Sequence, residues 1–182
     1  MVETRLYPLI PSSTGESMEE HYKAERIGIS YENKIVLDLG ASNGDCAEYF
    51  LHKGAKFVVA VEGQESYQSV SVFAQLLENS KLFEWKILPI FMFIKSAEQI
   101  ENLIITYKPD IIKCDIEGAE KYLFEIKDEI WKLVPEYLVE THEGYLHDSS
   151  DKLMYEKCEK TNYKIISDTT TIARVIYAKK ED

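Results

Sequence analysis

Three short stretches of this 182-residue chain place charged side chains where a buried strand would otherwise be apolar. The first, Asp38-Leu39-Gly40-Ala41-Ser42-Asn43-Gly44, closes an apolar run with an acid and a glycine-bearing bend. The second is Lys113-Cys114-Asp115-Ile116-Glu117-Gly118-Ala119-Glu120, and the third is Glu140-Thr141-His142. Side chains alternate across a strand, so Lys113, Asp115 and Glu117 share one orientation while the segment stays extended, as do Glu140 and His142. Buried charges are uncommon unless they are paired or used. A histidine beside carboxylates suits proton transfer, with the ring taking a proton and an acid orienting it. The plainer alternative is a Lys113–acid pair, with Glu117 and Glu120 favouring a helix N-terminus and His142 bonded to a loop. Gly118 reads first as a tight strand-to-helix turn.

The first bend narrows the choice of ligand. A dinucleotide fingerprint, G-x-G-x-x-G, needs glycines at 40, 42 and 45; the chain has Gly40, Ser42 and Asp45. An aspartate there sets a negative charge beside a pyrophosphate, which disfavours NAD or FAD. No Gly-Lys-Ser/Thr follows, so a Walker loop is absent as well. S-adenosylmethionine, which has no pyrophosphate, would be tolerated: Asp38 suits its ammonium, and backbone N–H groups near a helix start suit its carboxylate. Glu62 lies 18 residues after Gly44, close to the separation of about 20 at which an acid reaches ribose hydroxyls. In the plainer alternative, Asp38 and Glu62 are solvated strand ends and Gly40 and Gly44 ordinary turn residues.

Residues 36–44 resemble the first motif of class I S-adenosylmethionine-dependent methyltransferases, and the closest branch is the FkbM type. The bend is similar to that branch's D-x-G-A-N-x-G, residues 113–120 to its K-x-D-x-E-G-A-E, and Glu140-Thr141-His142 to its E-x-H. The resemblance spans roughly residues 33–180. It implies cofactor contacts at Asp38, Gly40, Ala41, Ser42, Asn43, Gly44, Glu62, Gly63, Ser96, Ala97 and Asp115. It implies O-methylation of a hydroxyl on a small-molecule or glycan-like acceptor. Such a hydroxyl needs a base during attack, and His142 is the first choice, oriented by Asp115 or Glu117. Tyr145 and His147 would line the acceptor pocket. A sharper variant puts Mg²⁺ or Mn²⁺ on Asp115, Glu117 and His142 to lower the acceptor's pKa. Residues 89–95 lack the acid often found near adenine in this fold, so Ser96 or a backbone group would serve instead.

The elements that must hold these residues alternate. Strands are expected at 34–40, 56–62, 83–88, 110–116, 137–142, 163–167 and 172–178. Helices are expected at 45–53 (burying Cys46, Ala47, Phe50 and Leu51), 66–78, 96–107 with a Ser96/Gln99 capping box, 119–133 and 150–159. The short 168–171 link permits only antiparallel neighbours. The prediction is therefore an α/β, Rossmann-like, doubly wound sheet, mostly parallel and seven-stranded, with a C-terminal antiparallel hairpin. Residues 31–182 would form the methyltransferase domain. Residues 1–30, with a short helix over 17–29, would form a cap or lid. Trp85, Phe91 and Phe93 read as core packing rather than a base-stacking platform.

Composition supports one ordinary globular domain, with 45% hydrophobic and 29% charged residues. Twenty-one basic against 32 acidic residues give a formal net charge of −11, which makes nucleic acid an unlikely partner. Three widely spaced cysteines argue for a reducing compartment, and the absence of a long apolar run or signal-like N-terminus suggests a cytoplasmic protein. The competing readings are N-methylation of RNA or protein, disfavoured by the charge, and a non-catalytic S-adenosylmethionine-binding module, which has no evident use for the 113–120 signature. Oligomeric state is not legible.

Overall fold

A computed structural model describes residues 28–63, 67–84, 86–142, 150–170 and 174–181. Tyr145, His147, Trp85 and the expected helix over 17–29 lie outside them, apart from Gly28 and Ile29, which are not helical. Seven strands form one sheet: β1 (Ile35–Leu39), β2 (Phe57–Glu62), β3 (Ile87–Phe91), β4 (Ile111–Cys114), β5 (Glu136–Thr141), β6 (Tyr163–Thr170) and β7 (Arg174–Lys180). Their order is β3-β2-β1-β4-β5-β7-β6. The first five are parallel, while β7 runs antiparallel to both β5 and β6. This is the predicted Rossmann-like sheet with its terminal hairpin. From β1 the chain first builds outward through β2 and β3, then crosses to β4. The carboxyl ends of β1 and β4 therefore flank the switch point where α/β sheets bind ligands.

Helices α1 (Asp45–His52), α2 (Tyr67–Lys81), α3 (Ala97–Tyr107), α4 (Lys121–Phe124), α5 (Asp128–Trp131) and α6 (Ser150–Thr161) connect the strands. Alternation along the strands divides the core between the two faces. Leu37, Leu39, Ile112, Tyr137 and Val139 pack with Ile100, Leu123, Trp131 and Met154 of α3 to α6. Val36, Val58, Ala60 and Ile111 pack with Ala47 and Phe50 of α1 and Leu76 of α2. Trp131 stacks on Tyr137 with ring centroids 3.8 Å apart, fastening the α5 turn to the sheet. No helix among the described residues is long and apolar enough to cross a membrane. The three cysteines are free thiols, with Cys114 and Cys158 buried.

Several expectations need correcting. The third strand is Ile87–Phe91, not 83–88. The strand carries Pro89, which is tolerated because β3 is an edge strand, where a missing N–H costs no ladder bond. The helix expected over 119–133 is two single turns, because Glu101 of α3 accepts the Lys127 N–H (2.8 Å) and holds the break between them. Strand four stops at Cys114, and Glu117 is left-handed (φ 52°), so the alternation does not carry through to Glu117. The buried residues of α1 are Ala47, Glu48 and Phe50, with Cys46 and Leu51 only half-buried. Phe91 and Phe93 are exposed rather than core, Phe91 leaning on Phe73 and Phe93 under the Lys95 ammonium.

Candidate active site

The bend after β1 is built on backbone constraints. Gly40 has φ +82°, and a Cβ there would lie 1.7 Å from the Asp115 carbonyl oxygen, so only glycine lets the bend close over β4. Gly40 and Ala41 both donate to the Val61 carbonyl at 3.0 Å, and Gly44 (φ +92°) donates to that of Ala41. Ser42 is left-handed (φ 47°), and its N–H donates to Glu62 Oε2 at 2.8 Å. Glu62, the last residue of β2, is 8% exposed; burial raises its pKa while the backbone bonds and Lys113 oppose the rise. Asn43 is buried, and its carbonyl accepts from Asn79 of α2, so this residue anchors the underside of the bend. Asp45 Oδ1 accepts the Cys46 N–H at 2.8 Å, placing a carboxylate at the helix start where a pyrophosphate would sit. Gly63 passes tightly over Met92, whose carbonyl carbon would stand 2.7 Å from an added Cβ.

Beneath the bend lies Asp38. Its register partner on β4 is Lys113, so the two side chains share a face of the sheet. Lys113 Nζ donates to the Gly40 carbonyl (2.9 Å) and pairs with Asp38 Oδ1 (3.4 Å) and Asp115 Oδ2 (3.6 Å). Asp38 is sealed from solvent, and neither oxygen has a hydrogen-bond partner among the described residues. Burial drives its pKa up to about 7 against the pull of Lys113, with Asp45 and Asp115 adding to the rise. The Lys113–acid pair of the plainer reading is thus present, and it leaves an underpaired carboxyl below the bend.

The second cluster forms where β4 and β5 end side by side. His142 follows β5, and four carboxylates surround its ring. Nδ1 meets Glu120 Oε1 at 3.0 Å; Nε2 lies 3.6 Å from Glu117, 3.8 Å from Asp115 and 3.9 Å from Glu140. The bond to Glu120, chiefly, with the nearby charges of Asp115 and Glu117, raises the imidazole pKa to about 9 against the effect of burial. Glu120 is 1% exposed; burial works to raise its pKa, but bonds from His142 and the Gly118 N–H hold it below the usual value. It also accepts the Ile116 and Gly118 N–H groups at 3.2 and 3.1 Å, closing the turn at Gly118 (φ +95°). Its part in holding His142 was missed in the sequence, where it read as a helix-dipole acid. Glu117 is the exposed member, its side chain 60% accessible.

The structure therefore joins Asp38, Gly40 and Asp115 through Lys113, joins Ser42 to Glu62, and gathers Asp115 and Glu117 around His142. Ala41 is buried in the core behind the bend. Ser96 and Ala97 begin α3, where Gln99 Oε1 accepts the Ser96 N–H (3.2 Å) in the expected capping box.

No protein-family model matches the chain, and no curated protein does. Solved structures do share its fold. Aeropyrum pernix fibrillarin, crystallised with natively bound S-adenosyl-L-methionine, is 16% identical with a TM-score of 0.63, covering 87% of this chain and 74% of its own. The ribosomal protein L11 methylase of Lactobacillus delbrueckii subsp. bulgaricus is 15% identical (TM-score 0.61), covering 91% and 81%. A proposed tRNA (m1A22) methyltransferase of Streptococcus pneumoniae, in complex with S-adenosyl-L-methionine, is 12% identical (TM-score 0.58), covering 87% and 72%.

Proposed function

We propose that this chain is an S-adenosylmethionine-dependent methyltransferase of the FkbM type, acting on a hydroxyl of a small-molecule or glycan-like acceptor. The observation that carries the reading is the β1 bend itself. Gly40 closes it over Asp115, acids stand below it (Asp38) and beside it (Glu62), and Asp45 takes the place of a pyrophosphate at the helix start. Such a bend suits a cationic nucleoside ligand, and two solved structures of the same fold hold S-adenosylmethionine. Asp38 contributes negative field to the ligand's ammonium, Glu62 offers an acid to the ribose, and Gly63, Ser96 and Ala97 flank the nucleoside. Once bound, the cofactor supplies a methyl group on a sulfonium, already a good leaving group. The protein's task is then to place the acceptor in line and remove its proton.

His142 is the group for that proton, with Asp115 and Glu117 beside Nε2. In chelator-treated protein the raised imidazole pKa keeps the ring charged at neutral pH, so turnover should climb as pH approaches 9. In a methyl-transfer screen, His142→Ala should leave S-adenosylmethionine affinity nearly unchanged and slow turnover by about 10²–10⁴-fold. Full activity in that variant would remove His142 from the chemistry. A second reading, an acceptor in RNA or protein, draws on the names of the similar structures; methyl transfer to tRNA or a ribosomal protein in the same screen would favour it over the hydroxyl acceptor. The chain's own charge of −11 weighs against RNA.

A further inference from the structure

Asp115, Glu140 and His142 each offer one donor atom, and these atoms all lie within 4.8 Å of one another. Two donors each about 2.2 Å from an ion stand roughly 3.1 Å apart at a right angle and about 4.4 Å apart when opposed. The distances from His142 Nε2 to Asp115 Oδ1 (3.8 Å) and to Glu140 Oε1 (3.9 Å) fall between those limits. The three residues come from two adjacent strand ends whose register is fixed by the β4–β5 ladder. Glu140 is buried, and Asp115 and His142 are half-buried, so the donors do not form a solvated acidic surface. The ring is also oriented: Glu120 holds Nδ1, which turns Nε2 toward the two carboxylates, the usual outer support of a metal-bound histidine.

We infer that Asp115, Glu140 and His142 form a site for one divalent transition-metal ion of the Mn²⁺ class. The two carboxylates suit Mn²⁺ and the imidazole suits a first-row transition metal, whereas Mg²⁺ and Ca²⁺ favour oxygen donors alone. The site differs from the triad expected from the sequence, since Glu140 replaces Glu117, which is exposed on a left-handed turn. The inference deepens the methyl-transfer reading and rests on it for its chemistry: an ion there would hold the acceptor oxygen as a Lewis acid and ease loss of its proton to solvent, as the oxygen takes the methyl group and the sulfur keeps the bonding pair. With the ion bound, His142 serves as a ligand through Nε2, and its part as the base is confined to the metal-free protein.

The test is titration of Mn²⁺ into the chelator-treated full chain, with free Mn²⁺ followed by electron paramagnetic resonance. One ion should bind per chain, and pulsed measurement should show a ¹⁴N coupling from imidazole. Glu140→Gln and His142→Ala should each weaken binding by about 100-fold, and Glu117→Gln by less than about threefold. An equal concentration of Mg²⁺ should not displace the bound ion. No binding up to millimolar Mn²⁺, no ¹⁴N coupling in the wild type, or unchanged binding in Glu140→Gln would each overturn the inference. Calorimetry with S-adenosylmethionine on the same samples separates the two readings. Mn²⁺ binding without cofactor binding rejects only the methyl-donor reading, and the reverse rejects only the metal.

Discussion

Asp38 is the residue on which the physical argument is sharpest. A carboxyl with an ordinary pKa of 3.8 is held near 7 because it is buried under the bend with only Lys113 against it. The folded state thus holds this proton more tightly than the unfolded chain does. The stability it contributes is complete below about pH 4 and lost as pH rises through 7. Ligand-free protein should therefore melt at a lower temperature at pH 8 than at pH 5, and Asp38→Asn should reduce that difference. An unchanged slope in the variant would mean that Asp38 does not carry the effect. Much at this scale was legible beforehand. Lys113 and Asp115 stood out because charge is rare in strand sequence, Asp38 because it ends a strand before the glycine-bearing bend, and His142 through its resemblance to a family motif. What was not legible is partnership: Glu120 reaches His142 across 22 residues and Asn79 reaches Asn43 across 36, and neither separation follows from any local period. Nor did spacing reveal that Asp38 would be sealed, since that depends on the closure of Gly40 over Asp115.

At the scale of elements, alternation of apolar runs and helical periods was enough to order the sheet, because buried parallel strands and their crossovers have few arrangements. Two of the errors concern element bounds. The third strand lies later than expected and runs through Pro89, and the apolar periodicity of 119–133 concealed a break fixed by Glu101 from another helix. That break matters, since it leaves α5 as a single turn that cannot be stable alone. Its tether is Trp131, fully buried and stacked on Tyr137, with Lys157 Nζ 5.6 Å from the ring centroid. Trp131→Ala should cost about 3–5 kcal/mol in urea unfolding. A loss below about 1 kcal/mol would show that α5 is held by something else.

For the whole molecule, the sheet order places the three charged stretches at the carboxyl ends of β1, β4 and β5, and Glu62 at that of β2, on both sides of the switch point. Asp38 and His142, far apart in the chain, are thus linked through Lys113 and Asp115, and the fold explains why the sequence motifs had to be read together. The acids gathered there, Asp38, Asp45, Glu62 and Asp115, give the site an anionic setting suited to a sulfonium and an ammonium, and hostile to a pyrophosphate. The most direct measurement is calorimetric titration of the wild-type chain with S-adenosylmethionine and, separately, with NAD⁺. The account predicts single-site heat with the sulfonium ligand, weakened at least about tenfold by Asp38→Ala, and none with the dinucleotide. Binding of NAD⁺ with no heat from S-adenosylmethionine would contradict it.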